Sequence, residues 1–172
     1  MSGQMEAVIR KAAVLIEALP YIQQFRDAVV VIKFGGSAME DPEHVQGVLA
    51  DVTFMECVGM RPVLVHGGGK AISRRMREAG IESTFLRGLR VTCEKSIEIV
   101  SAVMKGEVNP AIVTALDAMG ARAEGVHGED VFRVTRKREQ DPETGATLDW
   151  GFVGEPGGVA VDPIDACVQR NV

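Results

Sequence analysis

Two glycine clusters, each directly after an apolar run, limit what this chain can fold into more than any other feature. The first is Val29-Val30-Val31-Ile32-Lys33-Phe34-Gly35-Gly36-Ser37, and the second is Pro62-Val63-Leu64-Val65-His66-Gly67-Gly68-Gly69-Lys70. Between them, Asp41-Pro42 opens an amphipathic stretch with Val45, Val48, Leu49 and Val52 on its apolar side, and Gly59 closes it. Strand, helix and strand over this length make a βαβ unit with a right-handed crossover and parallel strands. Parallel strands bring both glycine turns to the carboxyl edge of one sheet, where open α/β folds bind ligands. Adjacent glycine-lined turns expose backbone N–H groups at helix N-termini, which is an anion site. That geometry suits a reaction between two negatively charged reactants.

At 172 residues the chain has the length of one domain with a substantial core. A net charge of −5 argues against nucleic acid or an acidic membrane surface as the main partner. Cys57, Cys93 and Cys167 are odd in number and in no metal-ligand spacing, so reduced thiols are expected and no metal site. No apolar run approaches a membrane span, and the N-terminus lacks the pattern of a signal peptide. The expected location is the cytoplasm.

Residues 4–19 read as an amphipathic helix with Met5, Val8, Ile9, Ala12, Ile16 and Leu19 on one face, interrupted at Pro20. Tyr21, Ile22 and Phe25 continue an apolar surface to the first strand. A short helix over 70–79 is capped by Gly80. Ile81 to Val91 reads as a hairpin. Thr92 is a candidate N-cap for a helix carrying Ile97, Val100 and Met104, and Asn109-Pro110 starts another helix that ends at Gly120. Residues 121–126 read as a strand. Val131–Arg138 and Thr147–Val153 read as the arms of a hairpin around Asp141-Pro142-Glu143-Thr144-Gly145. Asp162-Pro163 starts a last helix, and a crossover with no strand to follow is either a fragment's end or a helix capping the sheet.

Among chemically able residues, Lys33 stands out at the carboxyl end of an apolar strand, two residues before Gly35 and Gly36. It either sets a charge beside a bound phosphate or snorkels to solvent. Neither cluster is a Walker A loop, since Gly69-Lys70 is followed by Ala71, and neither fits Gly-x-Gly-x-x-Gly. Three glycines at 67–69 exceed what one turn requires, so close backbone approach to a ligand is expected. Arg90 offers a planar fork suited to a carboxylate, or is an ordinary surface arginine. His66 is read as a hydrogen-bonded structural residue rather than a base.

Three segments, Lys33-Phe34-Gly35-Gly36-Ser37-Ala38-Met39, Val65-His66-Gly67-Gly68-Gly69 and Gly88-Leu89-Arg90-Val91-Thr92, resemble in order and spacing the acetylglutamate kinases of the amino-acid kinase family. The similarity extends to Val108-Asn109, Gly125-Val126-His127-Gly128-Glu129-Asp130 and Val153-Gly154-Glu155, nearly the whole chain. The resemblance implies a three-layer αβα sandwich with a mainly parallel open sheet. It implies ATP-dependent phosphorylation, with Mg²⁺ accompanying the nucleotide, of the side-chain carboxylate of N-acetyl-L-glutamate in arginine biosynthesis. By the same resemblance Lys33 stabilises the transferring phosphoryl group, and Gly35 and Gly36 offer amides to the ATP phosphates. Gly68 and Gly69 bind acetylglutamate, Arg90 holds its α-carboxylate, and the 81–91 hairpin is the lid.

The family's second half, with its nucleotide pocket, a second lysine and an organising aspartate, has no counterpart in these residues, so the sheet is expected to be incomplete at the C-terminus. Lys70 stands where the family commonly has proline. Residues 1–27, with Tyr21 beside Pro20, are similar to the regulatory helix of arginine-inhibited hexameric members, which implies L-arginine as feedback inhibitor and a homo-oligomer. Residues 28–172 would then be the acetylglutamate-binding lobe. The competing readings are another amino-acid kinase and a non-catalytic ligand-binding or oligomerisation fragment.

Overall fold

The βαβ unit forms as its sequence demands, and the other elements are arranged around it. The computed structural model describes residues 2–39 and 41–172, apart from the side chains of Ser2 and Ser37, so the hydroxyl of the first glycine motif lies outside the described residues. Strands β1 (Val29–Phe34) and β2 (Arg61–His66) pair in parallel, with Val29 opposite Arg61 and Phe34 opposite His66. Helix α2 (Pro42–Cys57) connects them. Its start is well specified: the Asp41 carboxylate accepts the N–H of Glu43 at 2.8 Å, and Pro42 occupies a first-turn position that needs no N–H. At its end Gly59 takes φ 89°, a conformation open to glycine, and turns the chain into β2.

Alternation along β1 decides which face is covered. Phe34 is buried and Ile32 half-buried against Leu49 and Val52 of α2, while Val31 and Lys33 look the other way and are exposed. The core is completed by Ile112 and Leu116 of α5 (Asn109–Ala118) and by Ala121. A second core joins Ile72 and Met76 of α3 (Gly69–Glu78) to Val103 of α4 (Glu94–Val103). Fully burying a side chain of this size stabilises a fold by about 1.5–3 kcal/mol, so each small cluster fixes one helix on its neighbour.

Helices α4 and α5 are one continuous rod, joined by a π-turn over Met104–Val108. A helical segment starts at Asn109-Pro110 as expected, but it follows the π-turn without a gap. Pro110 lacks an N–H, but it lies just after the π-turn, where the α-helical ladder is already irregular. Joined in this way, Glu94–Ala118 is long and apolar enough to cross a membrane by length and composition, contrary to the expectation drawn from separate segments. Val103, Ile112 and Leu116 of the rod are buried in the two hydrophobic clusters. Cys93 rather than Thr92 caps α4, because the Thr92 hydroxyl donates to the Arg90 carbonyl at 3.1 Å instead.

Helix α1 (Ser2–Phe25) also runs through its proline. Pro20 cannot donate to the Ile16 carbonyl, but on an exposed helix water serves that oxygen, so the rod continues. The stripe Met5, Val8, Ile9, Ile16 and Leu19 remains 47–70% exposed.

Two further corrections concern strands. Residues 121–127 form no ladder and, with β2, α5 and α7 (Asp162–Arg170), line a cavity of about 500 Å³ along β2's outer edge. The hairpin over 81–91 is shorter than expected: β3 (Phe85–Leu86) and β4 (Leu89–Arg90) pair, and the Val91 N–H donates to the Thr84 carbonyl at 2.9 Å. The second hairpin is longer: after the short α6 (Gly128–Val131) come β5 (Phe132–Gln140) and β6 (Thr147–Val159), paired antiparallel. Its turn is the expected one, with Asp141 accepting the N–H groups of Glu143 and Thr144 at 3.0 Å each. The expected open parallel sheet is present as the β1–β2 pair, and the three cysteines are free thiols.

Candidate functional site

The two glycine turns meet. The Gly67 N–H donates to the Phe34 carbonyl at 3.2 Å, and a Cβ on Gly35 would lie 3.9 Å from the Gly67 nitrogen. A cavity of about 710 Å³ opens beside them, lined by Gly36, Gly67, Gly68, Gly69 and, from the lid, Arg90.

Helix α3 begins at this cavity. Gly68 is its N-cap and makes no side-chain capping bond, so first-turn amides stay available to an anion. The three glycines there serve different ends. A Cβ on Gly68 would come within 2.5 Å of the Met104 sulfur, so a side chain there would have to displace the flexible Met104 that packs on the turn. Gly67 and Gly69 face open space, as positions approached by a ligand should. The first turn differs. Gly36 has φ 62°, in the left-handed region, and opens a short 3₁₀ turn, while α2 starts later with its amides already capped by Asp41.

Arg90 reaches the second turn across 21 residues of sequence. Its Nη2 donates to the Ser73 hydroxyl at 2.7 Å and lies 3.4 Å from the Gly69 carbonyl oxygen. Its Nη1 donates to the Ser83 hydroxyl, and the guanidinium stacks 4.7 Å above the Phe85 ring. Lys70 and Arg74 also line the cavity, against one acidic lining residue, Glu107. Glu107 is already engaged, accepting from Arg74 at 3.1 Å and Arg75 at 2.6 Å. The bond to Glu107, followed by a second from Arg75 to Glu78 at 3.1 Å, holds the Arg75 pKa above its ordinary value. The cavity is therefore cationic and suits a ligand with more than one carboxylate or phosphate.

Of the residues singled out in the sequence, Gly36, Gly68, Gly69 and Arg90 share this cavity, and Gly35 stands behind it against Gly67. Lys33 lies outside, on the exposed face of β1 and paired in register with Val65. Tyr21 is 64% exposed on α1 and lines neither cavity. His66 has the structural role expected of it: its Nε2 lies 3.2 Å from the Asn109 amide nitrogen, tying the end of β2 to α5. Gly125 packs so closely on that amide that a Cβ would collide with it. Sequence reasoning missed Ser73 and Glu107, and it named Asn109 as a helix start and in the resemblance without its contact to His66. Ser73 was within reach, four residues after Gly69 and hence on the same helix face.

The sequence profile described as the amino acid kinase family matches residues 28–170. An acetylglutamate kinase of Akkermansia muciniphila is 40% identical over all of this chain and 58% of its own length. One of Sphingopyxis alaskensis is 43% identical over 94% of this chain and 55% of its own. The chain thus spans about half the length of the curated relatives it matches. Among solved structures, smu.665 of Streptococcus mutans superposes with a TM-score of 0.67 at 25% identity, over 83% of this chain and 55% of that one. The N-acetylglutamate synthase of Neisseria gonorrhoeae, solved with coenzyme A and L-arginine, gives 0.66 at 22% identity, over 93% and 37%, and so shares the fold. Paired glycine turns on a parallel strand pair, the matching profile and the relatives converge: this chain belongs to the amino acid kinase family.

Proposed function

We propose that this chain is the acetylglutamate-binding half of an acetylglutamate kinase. The observation that carries the reading is Arg90, whose guanidinium lies 3.4 Å from the Gly69 carbonyl at the cavity formed by the glycine turns. A lid arginine beside uncapped helix amides is suited to an acid with two carboxylates, one gripped bidentately and one presented for reaction.

In this reading Arg90 takes the α-carboxylate of N-acetyl-L-glutamate, and the amides of Gly68 and Gly69 hold the same molecule. ATP lies at the first turn with its phosphates toward the amides of Gly35 and Gly36. The side-chain carboxylate is already an anion at neutral pH, since its reference pKa is about 4, so no general base is required. One of its oxygens attacks the γ-phosphorus, the bond to the β,γ-bridging oxygen breaks, and ADP leaves with the electron pair. Catalysis is then positioning and charge neutralisation, with Lys33 supplying positive charge as the phosphoryl group passes. Among the described residues no group of three His, Cys, Asp or Glu side chains gathers to hold a metal, so Mg²⁺ would arrive with the nucleotide, shielding its phosphate charge.

The regulatory part of the reading concerns residues 1–27. The exposed stripe of α1 would pair with the same helix of another copy in a hexamer, and L-arginine would bind near Tyr21 as feedback inhibitor. Residues 28–172 form the substrate lobe, and the enzyme works in the cytoplasm.

Supplying the complete protein with ATP and either acetylglutamate or glutamate, and trapping acyl phosphate as its hydroxamate, tests the reading. Product with acetylglutamate and little with glutamate is expected. Preference for glutamate, aspartate or carbamate would assign the chain to another branch of the family.

A further inference from the structure

Trp150 is the one tryptophan of this chain and is completely buried, yet it belongs to neither hydrophobic core. It lies on β6, behind the lid. Its indole N–H donates to the Leu86 carbonyl, the last residue of β3, at 2.8 Å. Above the ring, 5.2 Å from its centroid, sits the Lys137 ammonium.

The lid needs such a support. Its two strands are two residues long, and the turn residues Arg87 and Gly88 both have positive φ, 51° and 80°. A hairpin this small is not stable alone. Besides Leu86, its far end is stitched to the same stretch of β6: the Thr92 N–H donates to the Trp150 carbonyl at 2.8 Å, and the Phe152 N–H donates to the Thr92 carbonyl at 2.7 Å. Gly151 between them has φ 74° and approaches so closely that a Cβ would strike the Thr92 carbonyl. At the tip, Arg87 pairs with Glu139 at 3.1 Å and Asp141 at 3.5 Å, both on the β5–β6 hairpin.

We infer that Trp150 is a positioning residue for acid recognition: its N–H bond to Leu86 holds the lid so that Arg90 stays over the Gly69 turn. This rests on the reading in which Arg90 takes the ligand's carboxylate. A ring that merely filled space would be replaced without consequence for the lid by a bicyclic ring of the same shape lacking the N–H. The inference makes the indole N–H the group that matters.

Two readouts on the full chain test it. A two-residue turn does not fit a protease until it opens, so the rate of tryptic cleavage after Arg87 reports the opening of the lid. Trp150→Phe should raise that rate about tenfold, as expected for the loss of one buried hydrogen bond, while cleavage at Arg122 stays unchanged. In the complete protein it should raise the KM for acetylglutamate by a similar factor and leave kcat and the KM for ATP unchanged. Where Trp150→Phe also lowers the melting temperature, replacing Trp150 by benzothienylalanine keeps the bicyclic ring and removes only the N–H. Unchanged cleavage at Arg87 and unchanged KM in that variant would overturn the inference. Faster cleavage at Arg87 in a protein that does not bind acetylglutamate would leave the anchor standing and sink the functional reading instead.

Discussion

The two glycine turns sit side by side on paired strands, yet they are built on opposite principles. The first depends on backbone conformation: Gly36 is left-handed, a 3₁₀ turn follows, and the next helix starts at a distance with Asp41 occupying its amides. The second depends on packing: Gly68 admits Met104, Gly69 stays open, and α3 begins at once with no side-chain cap. Only the second opens directly onto a helix N-terminus without a side-chain cap. In the proposed reading, anion binding at the first falls to the amides of the turn itself and to Lys33 on the exposed face of β1.

The largest expected effect tests that division at the first turn. Lys33→Ala in the complete protein should lower kcat about 10²–10³-fold with modest change in either KM, as for removal of a group that stabilises charge in the transition state. Steady-state kinetics at saturating substrates reads it, and a nearly unaltered kcat would return Lys33 to a solvated strand end. At the second turn, Arg90→Ala should weaken acetylglutamate binding by tens to hundreds-fold, about 2–3 kcal/mol, with ATP binding spared. Calorimetry with each ligand separately distinguishes the two sites, and equal losses for both would erase the division.

Substituting the glycines sharpens the same contrast through stability. Gly36→Ala forces a Cβ into the left-handed region and should cost about 1–2 kcal/mol in urea unfolding. Gly69→Ala meets open space and should leave stability nearly unchanged while impairing ligand binding. Similar unfolding midpoints for the two variants would contradict the structural distinction.

The smallest effect is a pH dependence confined to the second turn's lid. The Lys137 ammonium holds the Glu139 carboxyl below its ordinary pKa, the Thr144 and Glu143 N–H groups do the same for Asp141, and the Gly151 N–H for Asp149. A depressed pKa in the folded state contributes stability that is complete above the unfolded value, about 4, and is lost as pH falls through the lower folded value. Amide exchange at Thr92 and Phe152 should therefore accelerate below about pH 4 relative to exchange within β1–β2. A uniform acceleration across both regions would show that these carboxylates do not act locally on the lid.

How much was legible in the sequence follows the range of the interactions. Val29–Phe34 and Arg61–His66 were readable because alternation, glycine and the Asp41-Pro42 cap are local signals. Arg90 was readable from its motif, but that it meets Ser73 and Gly69 was not, since the contact depends on where two hairpins fold. Trp150 gave no signal at all: its position in β6 is unremarkable until the lid's carbonyl arrives above it. The helical rods run on past both prolines, against the expected interruption at Pro20 and without a gap before the expected helix start at Asn109-Pro110. Pro20 and Pro110 carry the local mark of a break, but solvent at one site and an irregular turn at the other relieve the missing N–H.

The π-turn at Met104–Val108 makes one rod serve two compartments. An extra residue in a turn advances the helical phase by about 100°. Before it, Val103 points to α3 and the substrate turn; after it, Ile112 and Leu116 point to α2 and the back of the parallel strands. Without the extra residue the faces before and after the turn would be offset by about 100° from this arrangement, and Val103 and Ile112 would not both meet their present partners. The irregularity thus sets the phase between the two clusters: Met104 beside Gly68 and Ile112 and Leu116 beneath the strand pair belong to one helical rod, so the glycine turn at α3 and the core under β1 are held in register by a single element.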